Sequence, residues 1–198
     1  MRVKRRLPHD AFLPLPSPHP FPSFDTVSEY LNIGTSLRPA SHSQLMAAQI
    51  ARDFAALDAQ AELIDLREHP LPLCDGESSY GHPDVAKLSA RIKAARVIVV
   101  STPIYNYGAN AAAKNLVELT GSAWEDRIVG FLCAAGGDSS YMSIVGLANS
   151  LMLDFRCVIL PRFVYATGDD FAAGSIASPE VRRRIQQLAE AATHLRHT

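Results

Sequence analysis

Residues 102–119, TPIYNYGANAAAKNLVEL, place Pro103, Ile104, Tyr105, Asn106, Tyr107 and Gly108 together where an apolar run gives way to helical spacing. A plain connection needs one or two turn residues. Here Pro103 fixes the exit of the chain, and Gly108 permits a close backbone turn. Tyr105, Asn106 and Tyr107 add ring faces and amide groups, a ledge suited to a planar ligand, and Asn110 stands where a helix cap belongs. The same residues also suit a tyrosine-rich loop packed on its own sheet.

Two other stretches have chemistry of a matching kind. GTSLRPASHSQ, residues 34–44, carries the hydroxyls of Thr35, Ser36, Ser41 and Ser43 together with Arg38, just ahead of a helical pattern. Hydroxyls and amides converging on a helix N-terminus favour a phosphate, and an arginine adds a charge-assisted contact. Ser41 to Gln44 reads as a capping box, so the loop is equally compatible with simple capping of its own helix. It has neither the GxGxxG of dinucleotide binders nor the glycine-and-lysine loop of P-loop enzymes. AAGGDSSY, residues 134–141, pairs Gly136 with Gly137, which admits another molecule close to the backbone, and adds the amides and hydroxyls of Ser139 and Ser140. Taken alone it is also an ordinary strand-to-helix turn. Together the three stretches offer a phosphate pocket, an aromatic ledge and a backbone-lined wall, which fit a mononucleotide with a large ring system.

Apolar runs fall at 30–33, 61–66, 97–100, 128–133 and 157–165, alternating with helical patterns. Met46, Ile50, Phe54 and Leu57 share one helix face. So do Val85, Leu88 and Ile92; Tyr141, Val145, Ala148, Met152 and Phe155; and Val181, Ile185, Leu188, Ala192 and Leu195. Ser178-Pro179-Glu180 is a helix start with proline at the first position. VIVV at 97–100 and IVGFLC at 128–133 are continuous, as in strands buried on both faces. Five such strands alternating with five helices predict an α/β fold of three layers with a five-stranded parallel sheet. A 2-1-3-4-5 strand order would bring the loops after strands 1, 3 and 4 to one edge. The first strand is the weakest, being short and interrupted by Asn32.

These motifs resemble the NADPH-dependent FMN reductase family, flavodoxin-like NAD(P)H:flavin/quinone oxidoreductases. TSLRPAS (35–41) matches the family's first motif through Ser36, Arg38 and Ser41. PIYNYGANAAAKN (103–115) matches the second through Pro103, Tyr105, Asn106, Lys114 and Asn115, and Gly136-Gly137 matches the third. The likeness runs over about residues 28–195. Thr35 replaces the family's usual glycine, Gly108 a serine and Asn110 a proline. The resemblance implies an oxidoreductase that uses FMN and NADPH. A hydride would pass from the nicotinamide to the flavin, then electrons to a small acceptor: flavin, quinone, azo or nitro compound, or metal oxyanion. It assigns Ser36, Arg38, Ser41, Ser43 and Gln44 to the FMN phosphate. Pro103, Ile104, Tyr105 and Asn106 would line the isoalloxazine, and Gly136, Gly137 and Ser139 would close the other side. It requires no side-chain acid, base or nucleophile, and it implies a homodimer or homotetramer. The competing reading is a flavodoxin-type electron carrier, or a flavin-binding protein without NAD(P)H turnover.

The totals set outer bounds. A net charge of −1 over 198 residues gives no electrostatic case for nucleic acid or an anionic membrane. Cys74, Cys133 and Cys157 form neither a disulfide framework nor a metal pattern, which fits a reducing, cytoplasmic setting. Residues 1–26, with prolines at 8, 14, 16, 18, 20 and 22, read as an extended polyproline-like arm ahead of a single domain at 27–198. The long connection at 65–84 suits a dimer interface, a wall of the acceptor site or an ordinary surface excursion.

Overall fold

The apolar runs are continuous because helices cover both faces of the strands they form. The structure, a computed structural model, describes residues 28–196; the arm at 1–26 lies outside them. In chain order the elements are β1 (Tyr30–Gly34), α1 (His42–Ala56), β2 (Ala61–Asp65), α2 (Pro83–Ala94), β3 (Val97–Tyr105), β4 (Gly108–Ala109), α3 (Ala111–Thr120) and β5 (Ile128–Ala134). They continue with α4 (Val145–Phe155), β6 (Val158–Ile159), β7 (Val164–Ala166), β8 (Phe171–Ala172), β9 (Ser175–Ile176) and α5 (Pro179–His194). The main sheet runs β2-β1-β3-β5-β6 with these neighbours parallel, the flavodoxin-like order. Alternate residues of β3 face opposite layers. Ile98 and Val100 pack with Leu88, Leu116 and Leu151 of α2, α3 and α4, while Val97 and Val99 pack with Ile50 of α1 and Ile185 of α5.

Three local features differ from the expected pattern, each for a physical reason. The fifth strand is split into β6 and β7. Its pairing offset to β5 changes from 30 (Ile128 with Val158) to 32 (Leu132 with Val164), and the interruption holds Pro161 and the left-handed Arg162. Proline cannot donate to a ladder, so the chain bulges there. Of the face expected for α4, Ala148 is buried and Phe155 packs against the core, but Tyr141 and Met152 are exposed, and Leu147 and Leu151 are the other residues the helix buries. Asn32, expected to weaken β1, is fully buried and ties three elements. Its Nδ2 donates to the Ala47 carbonyl of α1 (2.6 Å), and its Oδ1 accepts from the Ser101 hydroxyl of β3 (3.2 Å).

Sheet register builds the platform for the site. β1 stops at Gly34 opposite Ser101, but β3 continues to Tyr105, with Pro103 opposite Ala134 of β5. This leaves a step at the carboxyl end of β1, into which residues 35–41 fold. The amide end of the Gln44 side chain, from α1, lies over Gly34, where a Cβ would push it aside.

On the α1 face toward α5, Asp53 has one carboxylate oxygen that is buried without a partner, while the other accepts from Gln49 Nε2 (2.8 Å). Burial raises its pKa above the ordinary 3.8, the Gln49 bond and Arg52 oppose that shift, and Glu190 adds to it. The folded state therefore holds the proton to higher pH than the unfolded chain does, so stability falls as pH rises through the folded pKa. Asp53→Asn removes this decline. The variant is expected to match the parent near pH 3.8 and to exceed it at neutral pH by less than about 1 kcal/mol, solvent still reaching part of the carboxylate. Urea midpoints across that pH range check it; equal slopes for the two proteins would refute it.

Candidate functional site

The loops after β1, β3 and β5 meet around one cavity of about 710 Å³ at the carboxyl ends of the strands. Of the residues anticipated from sequence, Arg38, Ser41, Pro103, Ile104, Tyr105, Asn106 and Gly136 line it. Ala40, His42, Ala134, Ala135 and Gly168 line it as well and were not anticipated. Gly168 follows β7, which lies beside β5, so its loop reaches the same edge; the split fifth strand obscured this. His42 could have been recognised as the first residue of a helix opening onto a phosphate loop.

The cationic side of the cavity is set by what the end of α1 lacks. His82, Asn110 and Ser178 cap α2, α3 and α5 with side-chain acceptors, but Ser41 makes no such bond to α1. Its hydroxyl pairs with that of Ser43 (2.8 Å). The expected capping box does not form, because Gln44 turns its Nε2 to Asp65 Oδ1 (3.1 Å), a carboxylate also gripped by Arg67. The first turn of this 15-residue helix therefore has no side-chain cap and no acidic residue; the Gln44 amide donates to the Ser41 carbonyl (3.1 Å), while those of His42 and Ser43 have no partner among the described residues. Arg38 is exposed on the rim, and among the described residues its guanidinium has no partner. Ser36 is buried and accepts the Arg38 amide (3.3 Å), shaping the loop from beneath. Gln44 and Ser36 thus position the loop, and neither they nor Ser43 line the cavity.

The aromatic side is a hairpin. β3 turns back into β4 with Tyr105 paired to Gly108, and the two residues between, Asn106 and Tyr107, both have left-handed φ (49° and 64°). That is the signature of a primed two-residue turn. The turn was expected to rest on Gly108, but Gly108 is a strand residue with ordinary φ. Asparagine tolerates the left-handed region, and Tyr107 occupies it at a steric cost. Tyr105 and Tyr107 stay 54% and 60% exposed, and of the two only Tyr105 lines the cavity.

The third wall is backbone. A Cβ on Gly136 or Gly137 would meet nothing within 4 Å, so the space above them is open to a ligand. Tyr165 Oη donates to the Gly137 carbonyl (2.5 Å), and Tyr141 packs on Phe163 and Tyr165, holding the glycine loop from behind. Gly137 and Ser139 stand beside this wall without lining the cavity.

The lining includes no carboxylate and no thiol. Burial pushes Cys157 up to about 11 and Cys133 higher still, so neither is a thiolate near neutral pH. Among the described residues no group of three or more His, Cys, Asp or Glu could hold a metal ion, and no helix is long and apolar enough to cross a membrane. What the cavity offers is a cationic, amide-rich end and a flat aromatic and backbone slot. That donor set fits a phosphate-bearing planar cofactor such as FMN.

The model of the NADPH-dependent FMN reductase family matches residues 31–172. An NAD(P)H-dependent FAD/FMN reductase of Geobacillus thermodenitrificans is 31% identical over 142 residues, 70% of this chain and 76% of that one. An NADH-dependent FMN reductase of Pseudomonas fluorescens is 31% identical over 167 residues (82% and 88%). An NADPH azoreductase of a Bacillus species is 28% identical over 156 (76% and 85%). Two solved structures share the fold: an apo NADH:FMN oxidoreductase (TM-score 0.72, 15% identity, 87% of this chain and 92% of that one) and a WrbA-like flavodoxin from Agrobacterium tumefaciens (0.56, 16%, 84% and 98%).

Two of the walls, the loop after β1 and the β3–β4 hairpin, are joined through Asn110. Its Oδ1 accepts from Thr35 Oγ1 (2.8 Å), Thr102 Oγ1 (3.1 Å) and the Ala113 amide (3.2 Å), and its Nδ2 donates to the Thr35 carbonyl (2.8 Å). Asn110→Ala is expected to lower stability by about 2 kcal/mol, a lost cap together with the buried Thr35 carbonyl left without its Nδ2 donor, while the Thr35 and Thr102 hydroxyls keep the Ser101 and Pro103 carbonyls as acceptors. Denaturant titration reads the loss, and hydrogen exchange should quicken in residues 35–41 and 102–113. A change below about 0.5 kcal/mol would refute the network's role.

Proposed function

The chain belongs to the NADPH-dependent FMN reductase family, and on that premise we propose that the cavity at the ends of β1, β3 and β5 seats FMN and serves electron transfer from NAD(P)H to a small acceptor. The observation that carries this reading is the uncapped start of α1, flanked by the unpartnered Arg38, on the rim of a slot whose other walls are Tyr105 and Gly136. When bound, FMN supplies the two-electron exchange between nicotinamide and acceptor. The protein supplies placement. Arg38, Ser41 and the first amides of α1 hold the phosphate, Pro103 to Asn106 orient the ring system, and Gly136 leaves room for it. Besides Arg38 and the His42 imidazole, the lining is apolar, hydroxyl or amide in character, and hydride transfer to a bound flavin would call on no protein nucleophile. Exposed rings at Tyr105 and Tyr107 favour a planar acceptor such as free flavin, a quinone or an azo compound, since stacked aromatic contacts suit flat partners. The free cysteines fit a cytoplasmic setting.

We further propose that a second copy of the chain covers the face beside the loop at 35–41. An apolar cavity of about 480 Å³ lies there, lined by Leu37, Leu66, Pro70, Leu71, Leu73 and the start of α3. Leu37 and Leu73 are 61% and 81% exposed on its rim. The segment is rigid rather than loose. Asn115 takes the Cys74 amide (2.8 Å) and donates to the Pro72 carbonyl (2.9 Å), and Asp75 accepts from Glu77, Ser78 and Ser79. A hydrogen-bonded segment presenting such an apolar patch supports the reading of an interface.

Purified protein mixed with FMN is expected to bind it and to oxidise NADPH or NADH when free FMN or a quinone is added. Anaerobic spectra and nucleotide consumption read this. A protein with no affinity for FMN would overturn the cavity assignment, and an FMN-loaded protein inert to both nucleotides would favour the electron-carrier reading. Leu73→Asp is expected to shift the assembly to monomer in light scattering while leaving the far-ultraviolet spectrum unchanged. A monomeric parent protein would refute the interface.

A further inference from the structure

His42 is the first residue of α1, and its side chain borders the cavity beside Arg38 and Ser41. The ring lies flat against Phe171 of the β8–β9 hairpin, centroids 4.0 Å apart and planes within 7°. Stacking occupies the faces of an imidazole and leaves its edge, with both nitrogens, free to bond. Among the described residues neither nitrogen has a hydrogen-bond partner.

The partner ring is itself held in place. Asp170 accepts from the Thr167 amide (2.8 Å), and its carbonyl accepts from the amides of Ala177 (2.7 Å) and Ser178 (3.1 Å). Arg182 donates to the Ala177 carbonyl (3.1 Å), anchoring the hairpin to α5. Phe171 also packs against the α1–α5 layer of the core. The hairpin therefore sets the direction of the His42 edge. Gly168, at the start of the same segment, lines the cavity, so the stack stands at its wall.

Resting on the reading of this cavity as the FMN seat, we propose that His42, positioned by Phe171, is a specificity-determining residue that reads the terminal phosphate and selects FMN over riboflavin. An imidazole edge donates a charge-assisted bond to a phosphomonoester, and a sugar hydroxyl gives no equivalent partner. The residue lies outside the Ser36, Arg38 and Ser41 pattern, and Arg38 is the only other side chain with basic nitrogens on the lining.

The test measures dissociation constants for FMN and for riboflavin, by quenching of flavin fluorescence, on the full chain and on three variants. His42→Ala is expected to weaken FMN about 10-fold and riboflavin less than about 2-fold, the first being a single bond of about 1.4 kcal/mol. His42→Gln, which keeps an N–H donor, is expected to recover part of that loss. Phe171→Ala keeps the imidazole but frees it, and is expected to weaken FMN about 3-fold with riboflavin again unaffected. Unchanged FMN affinity in His42→Ala, or an equal loss for both flavins, would overturn the proposal. Unchanged FMN affinity in Phe171→Ala would overturn the positioning by the hairpin. A parent protein that binds neither flavin would instead remove the FMN reading itself, a distinguishable failure.

Discussion

One side-chain amide joins the parts that must act together. Asn110 caps α3, accepts from hydroxyls on β3 and on the loop after β1, and returns a bond to that loop's backbone. It adds to the bonds that Thr35 makes to the Ser101 carbonyl, so the segment presenting Arg38 is tied both to β3 and to the start of α3. Thr35 and Asn110, two positions at which the chain differs from the motif it resembles, are bonded to each other. A glycine at 35 has no hydroxyl to give, and a proline at 110 has no amide to receive it. Because the atoms are buried, leaving either one unmatched costs more than the bond itself contributes.

Much of the fold was legible because its signal is local. A strand covered on both faces must be apolar at every position, and VIVV and IVGFLC announce that without any knowledge of neighbours. The serine cap and first-turn proline of α5 likewise depend on adjacent residues, and Ser178 does accept from Val181. What sequence reading missed depends on contacts distant in the chain. Gln44 has the right spacing for a capping box, yet its better partner is Asp65, a carboxylate 21 residues on. Asn32 looks like a flaw in a strand until Ala47 and Ser101 are brought to it.

The candidate site follows the same division. Its loops were visible from composition, since hydroxyls, tyrosines and paired glycines are unusual at strand ends. The roles within them were not. Ser36, Ser43 and Gln44 share a motif with Arg38 and Ser41 but spend their polar atoms on the loop or its neighbours. In the second motif, Asn115 serves the segment after β2 through Cys74 and Pro72 rather than the cavity. A motif records every residue the geometry needs, including those that never meet a ligand.

The loop after β1 also separates two environments. Leu37 borders the apolar cavity and Arg38, its immediate neighbour, borders the polar one. The two side chains leave one short backbone segment toward different faces. If a second copy covered Leu37 and thereby restricted that backbone, an anion at Arg38 would meet a loop with less freedom left to lose, and linkage would then require the reciprocal effect on the apolar contact.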